Sequence, residues 1–269
     1  MQIGNDLFKK PVIDLLKLTV LIFLSALSVC VFAHPDLILQ IESLSEQLNT
    51  NPTDTELLLK RGDLYRRHEN FPAAAKDFTA ARTASPNNSL LDFYEGHLLF
   101  DSGDAEAAEQ HFKKYLGNHP EHAKAWALRG ETSIRLEQPE SAAAYFAEAI
   151  AHAQSPSPAL YRSQVLSLVS IGDTKWEEAS QVVDRGLNHF GLEVSLLGLG
   201  IDIALASNQP RKAMQYLEAL PETLHGLSQW QIRLQSTRCL ASADIEASTL
   251  CLQQARFRLA NEVSSFMVG

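Results

Sequence analysis

Cysteine is scarce in this 269-residue chain: there are three, and no two of them form a Cys-x-x-Cys pair. That removes the usual sequence signature of a redox dithiol. Glycine-rich phosphate loops and the Gly-x-Ser-x-Gly elbow are missing as well. Basic residues are outnumbered, 23 Lys and Arg against 32 Asp and Glu, and the formal net charge is -9. Beyond the N-terminus basic residues gather no further than adjacent pairs such as Arg66-Arg67. A dedicated nucleic-acid binder needs clustered cations to displace counterions from phosphates, so that class is excluded. What remains is an ordinary folded composition, 45% hydrophobic and 20% charged, long enough for one large domain or two small ones.

The first 33 residues read as an address. Lys9, Lys10 and Lys17 precede an uncharged apolar run, Leu18 to Ala33. That run is shorter than the ~20 residues a spanning helix needs and suits a secretory leader cleaved after Ala33. Residues 1–33 are thus expected to be a cleaved signal peptide, and the mature chain is expected to be periplasmic or secreted with no stable membrane span. Val29 before Cys30 is a poor match to a lipoprotein signal. Loss of the leader removes three Lys and two Asp, which takes the net charge to -10. It also leaves only Cys239 and Cys251. On a hairpin turning near Ser242–Asp244, an axial offset of about 6 Å added to a helix separation of about 8–10 Å exceeds disulfide reach. Two buried free thiols are the expectation.

A 34-residue period dominates the mature chain. Gly62, Gly96 and Gly130 keep that step, as do Ala74, Ala108 and Ala142, then Phe78, Phe112 and Phe146, then Pro52, Pro86 and Pro120. Self-similarity at this length signals a stacked repeat array. Glycine inside a helix costs about 1 kcal/mol relative to alanine, so its recurrence in register implies close helix approach. The alanines mark the matching contact on a second helix, and each phenylalanine, one turn on, fills the seam. The prolines stop the second helix of each pair.

This pattern resembles the tetratricopeptide repeat. Leu58, Gly62, Tyr65, Ala74, Phe78, Ala81 and Pro86 carry it in the first repeat. Gly96, Leu99, Gly103, Ala108, Phe112, Tyr115 and Pro120 carry it in the second, and Trp126, Gly130, Ala142, Phe146 and Ala149 in the third. Residues 55–156 hold these three well-matched repeats. Residues 34–52 form an N-terminal capping helix through Leu37, Ile41, Leu44 and Leu48. Residues 157–269 hold degenerate helical pairs and a C-terminal cap, with about two extra residues in a turn near Thr174. The resemblance implies an all-α, right-handed solenoid of about five to six helical hairpins.

Candidate chemistry is thin. The paired carboxylates Glu137/Glu140, Glu177/Glu178 and Asp101/Asp104 fall at turns and helix starts, where capping accounts for them. His111, His119 and His122 gather near one turn, but eight helical residues span roughly 12 Å, too far for one ion. His34, once the first residue, is a weak candidate for copper. Trp126, Trp176 and Trp230 read as packing residues. No cofactor is implied, and no catalytic residue is assigned.

The resemblance places the inward-facing positions of a protein-binding groove. These are Leu59, Asp63 and Arg66 in the first repeat, Phe93, His97 and Phe100 in the second, and Lys124, Ala127, Glu131 and Ile134 in the third. The fourth repeat adds Arg162, Leu166 and Val169. Phe93 and Phe100 are expected as exposed aromatic anchors flanking His97. One subfamily grips a C-terminal carboxylate with Lys and Asn; here Leu59 and Asp63 replace two such positions and Lys124 alone matches, so that clamp is not expected. The chain is therefore expected to be an exported, non-enzymatic adaptor or scaffold for another envelope or secreted protein or peptide. An assembly factor for an exported enzyme and a copper protein through His34 are the alternatives. Oligomeric state stays open at this level.

Overall fold

The computed structural model describes residues 35–242 and 244–268. The apolar run at 18–33, its cleavage point and His34 lie outside the described residues. Among the described residues the chain is helical and carries no strand. It divides into two compact units, one up to Ala84 and one from Ser85 onward.

The first unit holds α1 (Pro35–Thr50), α2 (Thr55–Arg67) and α3 (Phe71–Ala84). α1 buries Leu37 and Leu48 and half-buries Ile41 and Leu44, the one-sided stripe of an amphipathic helix. α2 begins where the Asp54 carboxylate accepts the orphan N–H groups of Glu56 and Leu57, each at 3.0 Å. It ends in a left-handed residue, Glu69, with the Asn70 N–H returning to the Tyr65 carbonyl at 2.8 Å. The Arg61 guanidinium ties the unit together. It donates twice to Asp77 on α3, both at 2.7 Å, and once to the Ser45 hydroxyl on α1 at 3.1 Å.

Among the described residues the second unit is built of five helical pairs. They are α4 (Leu90–Ser102) with α5 (Ala105–Asn118), α6 (Ala123–Arg135) with α7 (Pro139–His152), and α8 (Pro158–Ile171) with α9 (Trp176–Phe190). α10 (Val194–Ala206) with α11 (Pro210–Glu218) and α12 (Ser228–Leu240) with α13 (Ile245–Val268) complete the set. Proline opens α7, α8 and α11, where its missing N–H costs nothing. A short 3-10 turn at Asp173–Lys175 takes up the extra residues of the fourth repeat.

Inside each of the first three hairpins the periodic glycine and phenylalanine meet. A Cβ on Gly62 would stand 2.4 Å from Phe78 Cε1, one on Gly96 3.0 Å from Phe112 Cε1, and one on Gly130 2.9 Å from Phe146 Cε1. The three rings are 0–1% exposed, and Ala74, Ala108 and Ala142 are fully buried one turn before them. Beside each seam sits a second, variable pair in the same register. Arg61 pairs with Asp77, Glu95 lies 3.6 Å from His111, and the Arg129 guanidinium lies 4.1 Å over the Tyr145 ring. The turn after each first helix also repeats, with left-handed residues at Glu69, Gly103 and Glu137.

The pair α8/α9 lacks this seam, whereas α10/α11 keeps it with a tyrosine, Gly200 and Tyr216 standing the same 16 residues apart. Gly186 on α9 receives Leu196, and Gly200 on α10 receives Tyr216 and Val183. Every residue of α10 from Leu196 to Ala206 is buried, because α8, α9, α11, α12 and α13 all pack around it. Of the three tryptophans, Trp230 is buried, whereas Trp126 and Trp176 are half-buried.

The free-thiol expectation is corrected: Cys239 on α12 and Cys251 on α13 form a disulfide, with Cα atoms 6.4 Å apart. Axis separation was the wrong yardstick. Each Cα stands about 2.3 Å off its helix axis, so facing residues approach several ångströms closer than the axes do.

This packing makes the seam and the disulfide testable by unfolding. Gly130→Ala drives a methyl group into Phe146 and is expected to cost about 1–3 kcal/mol in urea unfolding. Adding Phe146→Leu should recover part of that loss, giving less destabilisation than the two single changes summed. Opening the 12-residue disulfide loop by Cys251→Ser is expected to cost about 2–3 kcal/mol, measured by the same titration under non-reducing conditions.

Candidate partner-binding face

The expected groove residues divide between the two units. In the first, Leu59 and Arg66 are buried, and Asp63 accepts from Arg66 Nε at 3.0 Å and Nη2 at 2.8 Å. This local ion pair occupies the Asp63 carboxylate.

In the second unit, α4 and α6 pack side by side as first helices of neighbouring pairs. The expectation of exposed aromatic anchors is corrected here: Phe93 is 9% and Phe100 8% exposed. The physical reason lies in what covers them. The Phe93 ring meets His122 edge-on at 5.0 Å and Tyr115 at 5.2 Å, and Lys124 Nζ lies 6.0 Å above it. The Arg135 guanidinium lies 3.5 Å over the Phe100 ring and donates to the Phe100 carbonyl. Cations on aromatic faces are attracted by the ring quadrupole. The result is layered, with rings below and His97, Lys124, Glu131 and Arg135 above.

Glu131 keeps surface accessible to water, yet the surrounding protein displaces enough of it to push its carboxyl above the usual range. Arg135 and Lys124 oppose that push and Asp101 adds to it. Ile134 is buried, and Phe266 and Met267 of α13 pack against its cluster.

Of the three histidines, His119 and His122 both lie against Tyr115, and His111 stands apart. His119 stacks on Tyr115 at 4.5 Å and bonds the Ser89 hydroxyl through Nε2 at 2.7 Å. His122 lies against Phe93, and burial, then His119 and Lys124, hold its imidazole below the ordinary value. His111 lies elsewhere, its Nδ1 3.6 Å from both Asp92 and Glu95, where Lys114 already contacts Asp92 at 2.9 Å. Asp92, Glu95 and His111 are close enough to share a cation. The lysine on Asp92 supplies part of that charge.

Further along, the same face is covered. α13 packs on α8 and α10 and reaches α6, so Leu166 and Val169 are buried. On α10, Asp202 is 1% exposed and paired through both oxygens with Arg233 of α12. Burial pushes its carboxyl upward, while Arg233 and then Arg258 oppose. This acid was missed in the sequence, although a lone aspartate within LLGLGIDIALA is itself a signal that a cation must come to it. A cleft of about 410 Å³ lies beside it, lined by Arg162, Gly198, Trp230, Arg233 and Glu262.

Stacked helical pairs locked to a 34-residue period define a class, the α-helical repeat proteins. The tetratricopeptide-repeat family profile matches residues 59–117 and again 93–158. Residues 59–158 thus carry tetratricopeptide repeats. The chain is 36% identical over 66 residues to the bacteriophage adsorption protein A of Escherichia coli (strain K12). That match covers 24% of this chain and 7% of the much longer relative. Among solved structures, it is similar to the C-terminal part of a repeat protein from Cytophaga hutchinsonii. The TM-score is 0.60 at 13% identity, over 84% of this chain and 92% of that one. It is also similar to YrrB, a repeat protein with an unusual peptide-binding site, at TM-score 0.58 and 14% identity over 72% and 99%. PilW, a type IV pilus biogenesis factor, gives 0.56 and 19% over 72% and 88%. Among the described residues no helix is long and apolar enough to cross a membrane.

The buried imidazole of His122 generates a pH prediction. Because it binds a proton less readily in the folded chain, the unfolded chain protonates first as pH falls below 6.5. Stability contributed by neutral His122 is full above 6.5 and declines from there toward its lowered folded value. Urea titrations at pH 7.5 and 5.5 should show this drop shrinking in His122→Phe; an unchanged drop would refute the assignment.

Proposed function

We propose that this chain is an exported, non-enzymatic adaptor that holds a partner polypeptide against the first-helix face of its tetratricopeptide repeats. The observation that carries this reading is the layering on α4 and α6. His97, Lys124 and Glu131 present polar groups over the buried rings of Phe93 and Phe100. Such a face offers directional polar contacts on a rigid apolar floor, the composition of a protein-recognition surface. The first unit, taken by itself, carries the Asp63–Arg66 pair on the same helix as the buried Leu59, and Ile134 is likewise buried on α6. YrrB and PilW, described by a peptide-binding site and by pilus biogenesis, are in keeping with an adaptor.

Export rests on two supports. One is the uncharged run from Leu18 to Ala33, which has the length of a secretory leader rather than of a span. The other is the Cys239–Cys251 disulfide, a bond that persists in oxidising compartments and is rare in the cytosol.

A photo-crosslinkable residue in place of the exposed Lys124 tests the adaptor reading in cells that express the chain. The same residue in place of Gln110, exposed on α5, is the control. One discrete adduct from position 124 and none from 110 is expected, with mass spectrometry naming the partner. Matching smears from both positions, or no adduct at 124, would count against this face.

A further inference from the structure

Helix α13 is 24 residues long, nearly twice the length of most others, and its distal half does more than close a hairpin. Beyond its partner α12, it lies on α10 and α8 and reaches α6, the first helices of three successive pairs. Its contacts form one stripe. Ala255 and Leu259 are fully buried, Val263 and Phe266 pack on the same core, and Phe266 with Met267 reaches the Ile134 cluster. Positions 255, 259, 263 and 266 fall on a single helical face. The resident of this groove is thus an amphipathic helix belonging to the chain itself.

The fit is incomplete. Arg258 donates from Nη2 to the Ser236 hydroxyl of α12 at 3.2 Å, but toward the groove its buried Nε stands 3.8 Å from Asp202 and has no hydrogen-bond partner. Glu262 stands 3.9 Å from Arg162. The tight partner of Asp202 is Arg233, which comes from α12. On its other side α13 leaves Phe257 68% and Leu250 56% exposed. Past residue 256, then, the polar contacts that α13 makes with the groove are a buried donor without a partner and two charge contacts at the edge of ion-pair range, a poor match for an apolar stripe that fits. The proximal part is different: the disulfide at Cys251 fastens it to α12, and Arg256 Nε donates to the Ala206 carbonyl of α10 at 3.2 Å. The helix therefore has a fixed base and a loosely seated distal half.

We infer that the face of α6, α8 and α10 is a helix-binding groove, and that the distal half of α13 is its resident occupant in the free protein. The partner is an amphipathic helix that copies this pattern. It carries an apolar stripe at i, i+4, i+8 and i+11, an arginine for Asp202, and an acid one turn later for Arg162. Departure of α13 removes both Arg258 and Glu262, leaving Arg162 and part of the Asp202 charge to be met, which fixes the order of the two charges. This inference rests on the adaptor reading and names the partner's chemistry at the far end of the same face.

The test uses the full chain and a fluorescent peptide of residues 254–268 as probe. The variant Leu259→Asp/Phe266→Asp releases the distal half of α13 while keeping the disulfide. It should bind the probe at least tenfold more tightly than the unaltered chain, and a probe carrying Arg258→Glu should lose at least tenfold of that affinity. A folded variant with no gain, or equal binding of both probes, overturns the inference. Hydrogen exchange on the unaltered chain guards against a variant that fails to fold. Amides of 256–268 should exchange at least tenfold faster than those of α8 and α10, and equal protection would make α13 a permanent core helix. Light scattering that finds a dimer in the unaltered chain and a monomer in the variant would assign the groove to a second copy and overturn the partner assignment. An adduct at Lys124 with no probe binding would leave the adaptor reading standing and remove this one alone.

Discussion

A phenylalanine ring resting where a Cβ would otherwise stand sets the geometry of the first three repeats. An added Cβ would stand 2.4 Å and 2.9 Å from the ring at Gly62 and Gly130, too close without displacement, and 3.0 Å at Gly96, tighter than an ordinary contact. Glycine is therefore a packing requirement at Gly62 and Gly130, and the tight fit recurs at Gly96. The helix-propensity penalty of about 1 kcal/mol each is offset by burying a ring that is 0–1% exposed. Because the two helices of a hairpin meet through a seam this specific, their faces cannot rotate freely. The residues one position before the glycine and one before the phenylalanine are then forced together. That is why Arg61 finds Asp77, Glu95 finds His111 and Arg129 finds the ring of Tyr145.

The same seam determines what the other side of each first helix can show. With Gly96 turned toward Phe112, Phe93 and Phe100 turn toward the neighbouring pair. There Lys124 and Arg135 of α6 come down onto their faces. A pair of aromatics that looks like two exposed anchors along one helix becomes the floor of a polar surface. Glu131 shows what this surface does to charge, since its carboxyl is raised while the residue still touches water.

From α8 onward the construction changes. The seam recurs on α10, where Gly200 meets Tyr216, but this helix is enclosed on all sides, and enclosure makes its one acid, Asp202, depend on cations from α12 and α13. The final hairpin supplies both. One cation is held at tight bidentate geometry, and the other at a distance and angle that leave a buried nitrogen unmatched. A disulfide between those two helices holds the hairpin closed at its base.

Much of the fold was legible in the sequence, because a repeat encodes its contacts within about 34 residues. Gly, Ala and Phe at one step announce the seam, Pro marks the helix limits, and the surplus near Thr174 appears as the short turn at Asp173–Lys175. The site was legible only as positions. His97, Lys124 and Glu131 could be placed on first helices, but the burial of Phe93, Phe100 and Ile134 depends on which side chains reach across from α6 and α13. The disulfide was misjudged because residue spacing gives axial offsets and leaves open which sides of two helices face each other. The pairing of Asp202 with Arg233 across 31 residues, and the reach of Arg256 to the Ala206 carbonyl across 50, carry no periodic signature. The sequence by itself determined the repeated hairpin, since its physics is local. Tertiary structure alone decided that the last helix lies on the face of the others, since that contact joins segments that no repeat spacing relates.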